Sequence, residues 1–323
     1  MGGLFSSSFD PSKDLLDLHG KVAIVTGGNA GMGFWIVHHL RRHGAKVYLA
    51  ARNEARATDA LRRLDALGRE NNDGAVEWLP LDLDDPRGVR RAVDAFTEKE
   101  TRLDILVNNA GMMAAPYEKT DDGVVRSMVV NHISPFVFVD ALSELLEKTA
   151  TERDSDVRVV NVASLIHSMA SSKFDSLDAF NKFYGTGYIA ETRQYAQTKL
   201  ANILWTNKLQ ERFDDRGANV TCISLNPGGV HTDTAVDKLR TLPLGGLLVR
   251  LTGLISYLPE QGAYTALFAA ASPAARAYRG LYLVPFGKPA TPSSAARDPL
   301  LADTLWKTTV QILGDVYGLR TRL

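Results

Sequence analysis

The chain has 323 residues, of which 45% are hydrophobic and 23% are charged. This composition is typical of a globular protein with a large buried core, and it excludes a chain that is disordered throughout. The 37 basic residues balance the 37 acidic ones, so no net charge attracts the protein to nucleic acid or to an anionic membrane. We therefore predict no nucleic-acid partner.

Cysteine content and the start of the chain indicate where the protein is found. The single cysteine, Cys222, cannot form an intramolecular disulfide. The first residues do not form the basic, then apolar pattern of a secretory signal peptide. These features predict a cytoplasmic protein, and we predict no metal site.

Membrane contact is expected to be at most peripheral. The polar leader, residues 1–17, begins with a match to the loose pattern for N-myristoylation at Gly2. One lipid there would give only marginal membrane binding, and a flexible Gly/Ser-rich terminus is the favoured interpretation. The apolar stretch 242–258 is interrupted by Pro243 and Arg250 and is too short to span a bilayer.

The rest of the chain alternates between strand and helix patterns. Short apolar, β-branched runs predict buried strands over residues 21–26, 46–50, 75–81, 103–107, 157–162 and 218–225. Amphipathic patterns predict helices over residues 31–43 and 54–70, after Pro86, over a long segment ending near Ala150, and around Tyr195. Right-handed crossovers then give an α/β fold, a single Rossmann-type doubly wound parallel sheet with helices on both faces.

We assign residues 18–287 to this one catalytic domain and residues 288–323 to a C-terminal extension. Two segments break the alternation: residues 165–187 form an insertion before the helix around Tyr195, and residues 233–262 form an apolar, Gly/Leu-rich excursion. Ligands of such folds lie at the carboxyl ends of the strands. Both segments could border a substrate pocket there, and we predict 233–262 as its lid.

A glycine-rich turn, Gly27-Gly-Asn-Ala-Gly-Met-Gly33, directly follows the first predicted strand. Glycines permit a tight turn and bring backbone N–H groups and the positive end of the next helix close to a pyrophosphate. A structural turn without a ligand is the alternative, and the position between strand and helix favours the phosphate site. The residues assigned to cofactor binding are Gly27, Asn29, Gly31, Met32 and Gly33.

Arg52, at the end of the second predicted strand, indicates which cofactor is used. At this position a carboxylate usually holds the ribose hydroxyls of NAD, whereas a cation accommodates the 2′-phosphate of NADP. No acid takes the position, so we predict NADP(H), with a solvated surface arginine as the alternative. Asp82 and the adjacent Leu83 are assigned to the adenine end of the cofactor, although Asp82 could instead cap the helix after Pro86.

Tyr195 and Lys199 form a candidate proton-transfer pair. They stand four residues apart in a helical pattern, so their side chains lie on the same face. A nearby ammonium favours the phenolate and is expected to lower the pKa of Tyr195 from its ordinary value of about 10. A phenol of this kind suits general acid/base catalysis on an alcohol or a carbonyl. Such pairs also occur by chance, so other residues must support the assignment.

That support comes from motifs that resemble, in order and spacing, those of the short-chain dehydrogenases/reductases. The resemblance spans about residues 18–285, and its motifs are the glycine turn, Asn108-Asn109-Ala110-Gly111, Asn131, Ser164, Tyr195-x-x-x-Lys199 and Asn226-Pro227-Gly228. The stretches 161–167 and 195–203 are similar to the retinol-dehydrogenase-like branch of the family.

The resemblance implies a role for each matching residue. The equivalent of Ser164 hydrogen-bonds the substrate oxygen, and the equivalent of Tyr195 exchanges its proton. The equivalent of Lys199 binds the nicotinamide ribose and acidifies the phenol, while that of Asn131 holds a water that connects the lysine to solvent. Cofactor contacts are further implied for Asn108, Asn109, Ala110, Gly111, Pro227, Gly228, Val230 and Thr232, in addition to Tyr195 and Lys199.

Some residues depart from the common pattern of the family. Ala163 replaces a serine often found before the reactive one, which leaves the match of Ser164 unchanged. His231 departs from common versions of the segment that carries Thr232 and weakens that assignment. His167 and His231 are expected to be structural or pocket-wall residues, because Tyr195 already fills the proton-transfer role.

Together these features predict an NADP(H)-dependent oxidoreductase that interconverts a hydrophobic alcohol and its ketone or aldehyde by hydride transfer. The apolar residues of 233–262 indicate a small lipophilic substrate, although they could equally pack a lid helix or the seam of a homodimer. One alternative is an NADP(H)-binding regulator or scaffold without turnover, against which the intact set of candidate catalytic residues argues. Another is a nucleotide-sugar epimerase or dehydratase, whose glycine spacing normally differs. Homodimer and monomer both stay open.

Overall fold

The computed structural model describes residues 9–68, 70, 72–230, 236, 240, 246 and 256–323. Within these residues the strands form one eight-stranded sheet in the order β3-β2-β1-β4-β5-β6-β7-β8. The first seven strands are parallel, and β8 pairs antiparallel with β7. The order reverses between β1 and β4, where strands leave a crevice at their carboxyl ends.

The first half of the sheet is built from three strand–helix units: β1 Val22–Thr26, α1 Gly31–Arg42, β2 Lys46–Ala51, α2 Glu54–Ala66, β3 Val76–Pro80 and α3 Pro86–Thr97. Every residue of β1 is buried, as its apolar composition requires. Two helices begin at side-chain caps, because Asn53 and Asp85 accept hydrogen bonds from backbone N–H groups of α2 and α3. Asp85, not Asp82, therefore caps the helix after Pro86.

The second half of the described chain continues the pattern with longer elements. They are β4 Ile105–Asn108, α4 Arg126–Met128, a π-helical turn Val129–Ile133, α5 Ser134–Ala150, β5 Val157–Val162, α6 Leu177–Phe180, α7 Tyr188–Asp215, β6 Val220–Leu225, α8 Pro259–Ala271, β7 Tyr282–Val284, β8 Lys288–Ala290 and α9 Pro299–Asp315. Most of the predicted lid, 233–262, lies outside the described residues.

Apolar side chains on the two faces of the sheet form two separate cores. Alternate strand residues point to opposite faces, so Ile24 joins one core and Val25 the other. The first core is completed by α3, α5, α7 and α9, and the second by α1, α2 and α8. The predicted doubly wound α/β fold is thereby confirmed.

Residues at both ends of the described chain pack into these cores. Leu305 and Trp306 of α9 are buried in the first core, and Phe9 and Leu15 in the second. Because β8 begins at Lys288, the sheet continues into the segment that the sequence indicated as an extension.

One helical stretch in the described part of the chain, Arg126–Ala150, is long and apolar enough to cross a membrane by length and composition. Its most apolar window is 83% buried inside the protein, as is typical of a core helix.

Candidate active site

The glycine turn between β1 and α1 is packed so tightly that side chains would not fit. Gly27 has a φ of 66° and Gly31 a φ of 53°, both in the left-handed region that favours glycine. A Cβ on Gly33 would lie 2.2 Å from the Gly27 carbonyl oxygen and 2.7 Å from Nδ2 of Asn109. The turn leads directly into α1, whose first backbone N–H groups have no partner inside the helix. It therefore fits the predicted pyrophosphate site.

Replacing Gly33 by Ala tests this packing. The added methyl group must displace the Gly27 carbonyl, so we expect NADPH affinity to fall at least about tenfold, in keeping with the roughly 1–3 kcal/mol that overpacking costs. Fluorescence titration with NADPH measures the effect. Gly314→Ala is the matched control, because a Cβ at this helical position of α9 meets no atom within 4 Å. A Gly33→Ala protein that binds NADPH normally would contradict the assignment.

A cavity of about 490 Å³ lies at the carboxyl ends of β1 to β4. Seven of the predicted cofactor residues line it: Gly27, Asn29, Arg52, Asp82, Leu83, Ala110 and Gly111. Sequence reasoning missed Thr26, Met112, Asp84, Arg126 and Val130, which also line it. Its position at the reversal of strand order is where such folds bind dinucleotides.

Thr26, at the end of β1, joins the glycine turn to the end of β4. Its Oγ1 accepts hydrogen bonds from the backbone N–H groups of Asn109 and Ala110, both at 3.0 Å. The Asn109 side chain donates to the Thr26 carbonyl at 2.8 Å, and the Asn108 side chain donates to Asn161 at 2.8 Å. The asparagines thus brace the strands, while Ala110 and Gly111 face the cavity.

Arg52 reaches the cavity with acidic neighbours that its sequence position did not reveal. Its Nη1 lies 2.9 Å from a carboxylate oxygen of Asp84 and 3.7 Å from one of Asp82. Its side chain is 64% exposed. The guanidinium is therefore accessible to a ligand, but it already has two anionic partners.

Asn131, Lys199 and Gly111 meet between α5 and α7. Asn131 lies in the π-helical turn, accepts from the Met112 N–H at 2.7 Å, and donates to the Met112 carbonyl and to Thr198. A Cβ on Gly111 would lie 3.6 Å from Nζ of Lys199. π-Helical turns frequently occur at functional sites. The predicted lysine and asparagine are thus brought together beside the cavity-lining Gly111.

Lys199 is held by β5 rather than by the phenol. Its Nζ donates to the Val162 carbonyl at 2.7 Å and lies 5.5 Å from the centre of the Tyr195 ring. Burial raises the pKa of the Tyr195 phenol and lowers the pKa of Lys199 to about 8. The expected lowering of the Tyr195 pKa is therefore not found, because loss of water around the phenolate outweighs an ammonium that makes its hydrogen bond elsewhere.

Ser164 follows β5 two residues after Val162, which holds Lys199. Its Oγ accepts from the N–H of Ile166 at 3.3 Å, so it caps the short 3₁₀ helix Leu165–Met169. His167 in that helix donates from Nδ1 to the Ser164 carbonyl at 2.7 Å and accepts at Nε2 from the Ser293 N–H at 3.1 Å. Both ring nitrogens are occupied, which agrees with the predicted structural role of His167.

The segment that follows β6 lies close to the glycine turn at the start of α1. Gly228 has a φ of 88°, and a Cβ there would lie 2.7 Å from Cε2 of Tyr257. A Cβ on Gly262 of α8 would lie 2.6 Å from Cγ2 of Val230 and 3.0 Å from Sδ of Met32. Val230 and Met32, two predicted cofactor residues, are therefore close neighbours. Pro227 leads into this turn, and Thr232 and His231 lie outside the described residues.

Comparisons with known proteins agree with this arrangement. A sequence model of the family described as short chain dehydrogenase matches residues 21–176. A short-chain dehydrogenase/reductase of Armillaria gallica is 42% identical over 313 residues, covering 95% of this chain and 97% of that protein. Retinol dehydrogenase 11 of Mus musculus is 33% identical over 299 residues, covering 93% and 88%.

Among solved structures, the Pseudomonas aeruginosa RhlG/NADP active-site complex superimposes with a TM-score of 0.63 and 25% identity. The match covers 84% of this chain and 96% of that chain. The family expected from the motifs is confirmed by these relatives. The chain therefore belongs to the short-chain dehydrogenase/reductase family of oxidoreductases, in a branch like that of the retinol dehydrogenases.

Proposed function

We propose that this oxidoreductase uses NADP(H) to interconvert a hydrophobic alcohol and its ketone or aldehyde. The observation that carries the proposal is the meeting of Lys199, Asn131 and Gly111 beside a cavity that also contains the glycine turn. The cavity is bounded by the strand ends where nicotinamide cofactors bind in folds of this kind.

A role for each catalytic residue follows from its chemistry. Bound NADP(H) supplies or accepts the hydride. Tyr195 donates a proton to the carbonyl oxygen, or accepts one from the alcohol, and Ser164 donates a hydrogen bond that stabilises negative charge on that oxygen. Lys199 orients the cofactor and Asn131 braces the π-helical turn through Met112.

Support for NADP(H) comes from Arg52, an exposed cation on the cavity wall. A guanidinium carries the charge opposite to that of the 2′-phosphate and can donate paired hydrogen bonds to its oxygens. A structural neighbour that carries NADP, RhlG, agrees with this choice.

Arg52→Asp tests the cofactor preference. The new carboxylate would repel the 2′-phosphate and accept hydrogen bonds from a free ribose, so we expect the ratio of NADPH to NADH affinity to fall by at least about tenfold. Fluorescence titration with both cofactors gives the ratio. Arg62→Asp makes the same charge change on α2, where Arg62 pairs with Asp59, and should leave the ratio unchanged. Unchanged selectivity in Arg52→Asp would remove Arg52 from the cofactor site.

The substrate is proposed to be lipophilic and small. Support comes from the apolar sequence of 233–262 and from the similarity to a retinol dehydrogenase. Oxidation of NADPH, followed by absorbance with a panel of lipophilic ketones and aldehydes, tests this proposal. NADPH binding without oxidation across the panel, in wild type and Tyr195→Phe alike, would favour a regulator.

The wider assignments are part of the same proposal. The cytoplasmic location stays a prediction, and so does membrane contact that is at most peripheral and made through Gly2, a residue outside the described part of the chain. The homodimer, with the monomer as its alternative, also stays a prediction. Residues 18–287 are proposed to contain all the catalytic residues, with 233–262 as the lid.

A further inference from the structure

Asp84 is shared by two arginines on the wall of the cofactor cavity. Its Oδ2 lies 2.9 Å from Nη1 of Arg52, and its Oδ1 lies 3.0 Å from Nε of Arg126. All three residues line the cavity. Arg126, the first residue of α4, is held on its other side by Glu118, whose Oε2 lies 2.8 Å from Nη1. The side chain of Asp84 is only 22% exposed, so its charge is partly shielded from water.

This arrangement affects how a phosphate could be recognised. A phosphate that draws the Arg52 guanidinium toward itself weakens the contact of Arg52 with Asp84. The phosphate would then add negative charge close to a carboxylate that has lost one cation, and like charges in a partly buried site repel. Arg126 remains beside Asp84 in that state. The carboxylate therefore keeps a counter-ion when Arg52 leaves it.

We infer that Arg126 is a specificity-determining residue for NADP(H), an inference that rests on the proposed function. It acts as a positioning residue: by neutralising Asp84, it leaves Arg52 available to the 2′-phosphate. NADH lacks this phosphate, so Arg52 can stay on Asp84 and Arg126 has little effect on NADH binding.

Arg126→Gln in the full-length protein tests the inference without a substrate. Fluorescence titration should show NADPH binding weakened roughly fivefold, the size expected for one partly exposed ion pair, with a much smaller change for NADH. Arg126→Lys keeps the charge and should retain most of the preference for NADPH. Adding Asp84→Asn to Arg126→Gln should restore NADPH binding, because the carboxylate that needs a counter-ion is gone.

Asp84→Asn alone gives a second test that keeps both arginines. It should raise the ratio of NADPH to NADH affinity, since Arg52 no longer has a competing anion at 2.9 Å, and it applies even if Arg126→Gln fails to fold. Arg62→Gln is the control for loss of a surface cation and should change neither affinity. Melting temperatures of all variants show whether each is folded.

The outcomes separate this inference from the proposal beneath it. Equal weakening of NADPH and NADH in Arg126→Gln, or no recovery in the double variant, would overturn the role of Arg126 while leaving NADP(H) dependence intact. A wild-type protein that binds NADH as tightly as NADPH would overturn both. A loss confined to NADPH and reversed by Asp84→Asn supports both.

Discussion

Tyr195→Phe should lower the rate of NADPH oxidation by about 10²- to 10⁴-fold, the contribution of a positioned general acid. Phenylalanine keeps the ring over which Lys199 lies and removes only the hydroxyl. NADPH affinity should therefore stay within about twofold, since the ring is kept and the hydroxyl is proposed to act on the substrate oxygen. Steady-state kinetics with a ketone found in the substrate panel, together with NADPH titration, measure the two effects.

Tyr184→Phe is the matched control for this prediction. Tyr184 is a half-buried tyrosine in the loop before α7, and its hydroxyl donates to Oε1 of Gln197 at 3.0 Å. Removing that hydroxyl should change turnover far less. A near-normal rate in Tyr195→Phe would refute the acid/base role, and an equal loss in both variants would point to general disturbance of α7.

Acidification from pH 7 to pH 5 should lower the free energy of unfolding by several kcal/mol. Burial lowers the pKa of His132 to about 3 and that of His39 to about 4, against an ordinary value of 6.5. Between pH 6.5 and about 4 these histidines bind protons in the unfolded chain but not in the folded chain. Their contribution to stability is therefore fully present above pH 6.5 and is lost as the pH falls. Each of these two groups contributes about 2 kcal/mol between pH 7 and pH 5. His38 is more exposed and adds less.

Urea unfolding at both pH values, in wild type and His132→Gln, measures this loss. His132 is fully buried, and its Nε2 lies 2.9 Å from Oγ1 of Thr309 in α9. The variant should start less stable at pH 7 and lose about 2 kcal/mol less on acidification. His19→Gln is the control, because Asp17 raises the pKa of this exposed histidine and its removal should not reduce the loss. The same pH dependence in all three proteins would contradict the prediction.

Sequence patterns predicted the elements whose burial is nearly complete. The strand predicted over 157–162 is β5, all six residues of which are buried. Helix α1 begins at Gly31 as predicted, because the glycine turn defines its start. The end of α2 was less well predicted: the charged pattern continues to residue 70, whereas the helix ends at Ala66 before Gly68. Local periodicity locates an element better than it locates its ends.

Features that depend on distant contacts were not predicted. β7 and β8 are three residues each, too short for a periodicity, and their pairing depends on β6. The ion pair of Arg52 with Asp84 joins residues 32 positions apart. The raised pKa of Tyr195 results from burial of its phenol, which a spacing of four residues in a helix does not reveal.

The imidazole of His167 joins Ser293, in the segment before α9, to Ser164, which follows β5. Since the Ser164 carbonyl can only accept and the Ser293 amide can only donate, the ring must be neutral, with its hydrogen on Nδ1. One uncharged ring thus connects Ser164 with the segment that leads into α9. Shortening, tagging or redesign of the last thirty or so residues is consequently a change made two hydrogen bonds away from the backbone of Ser164.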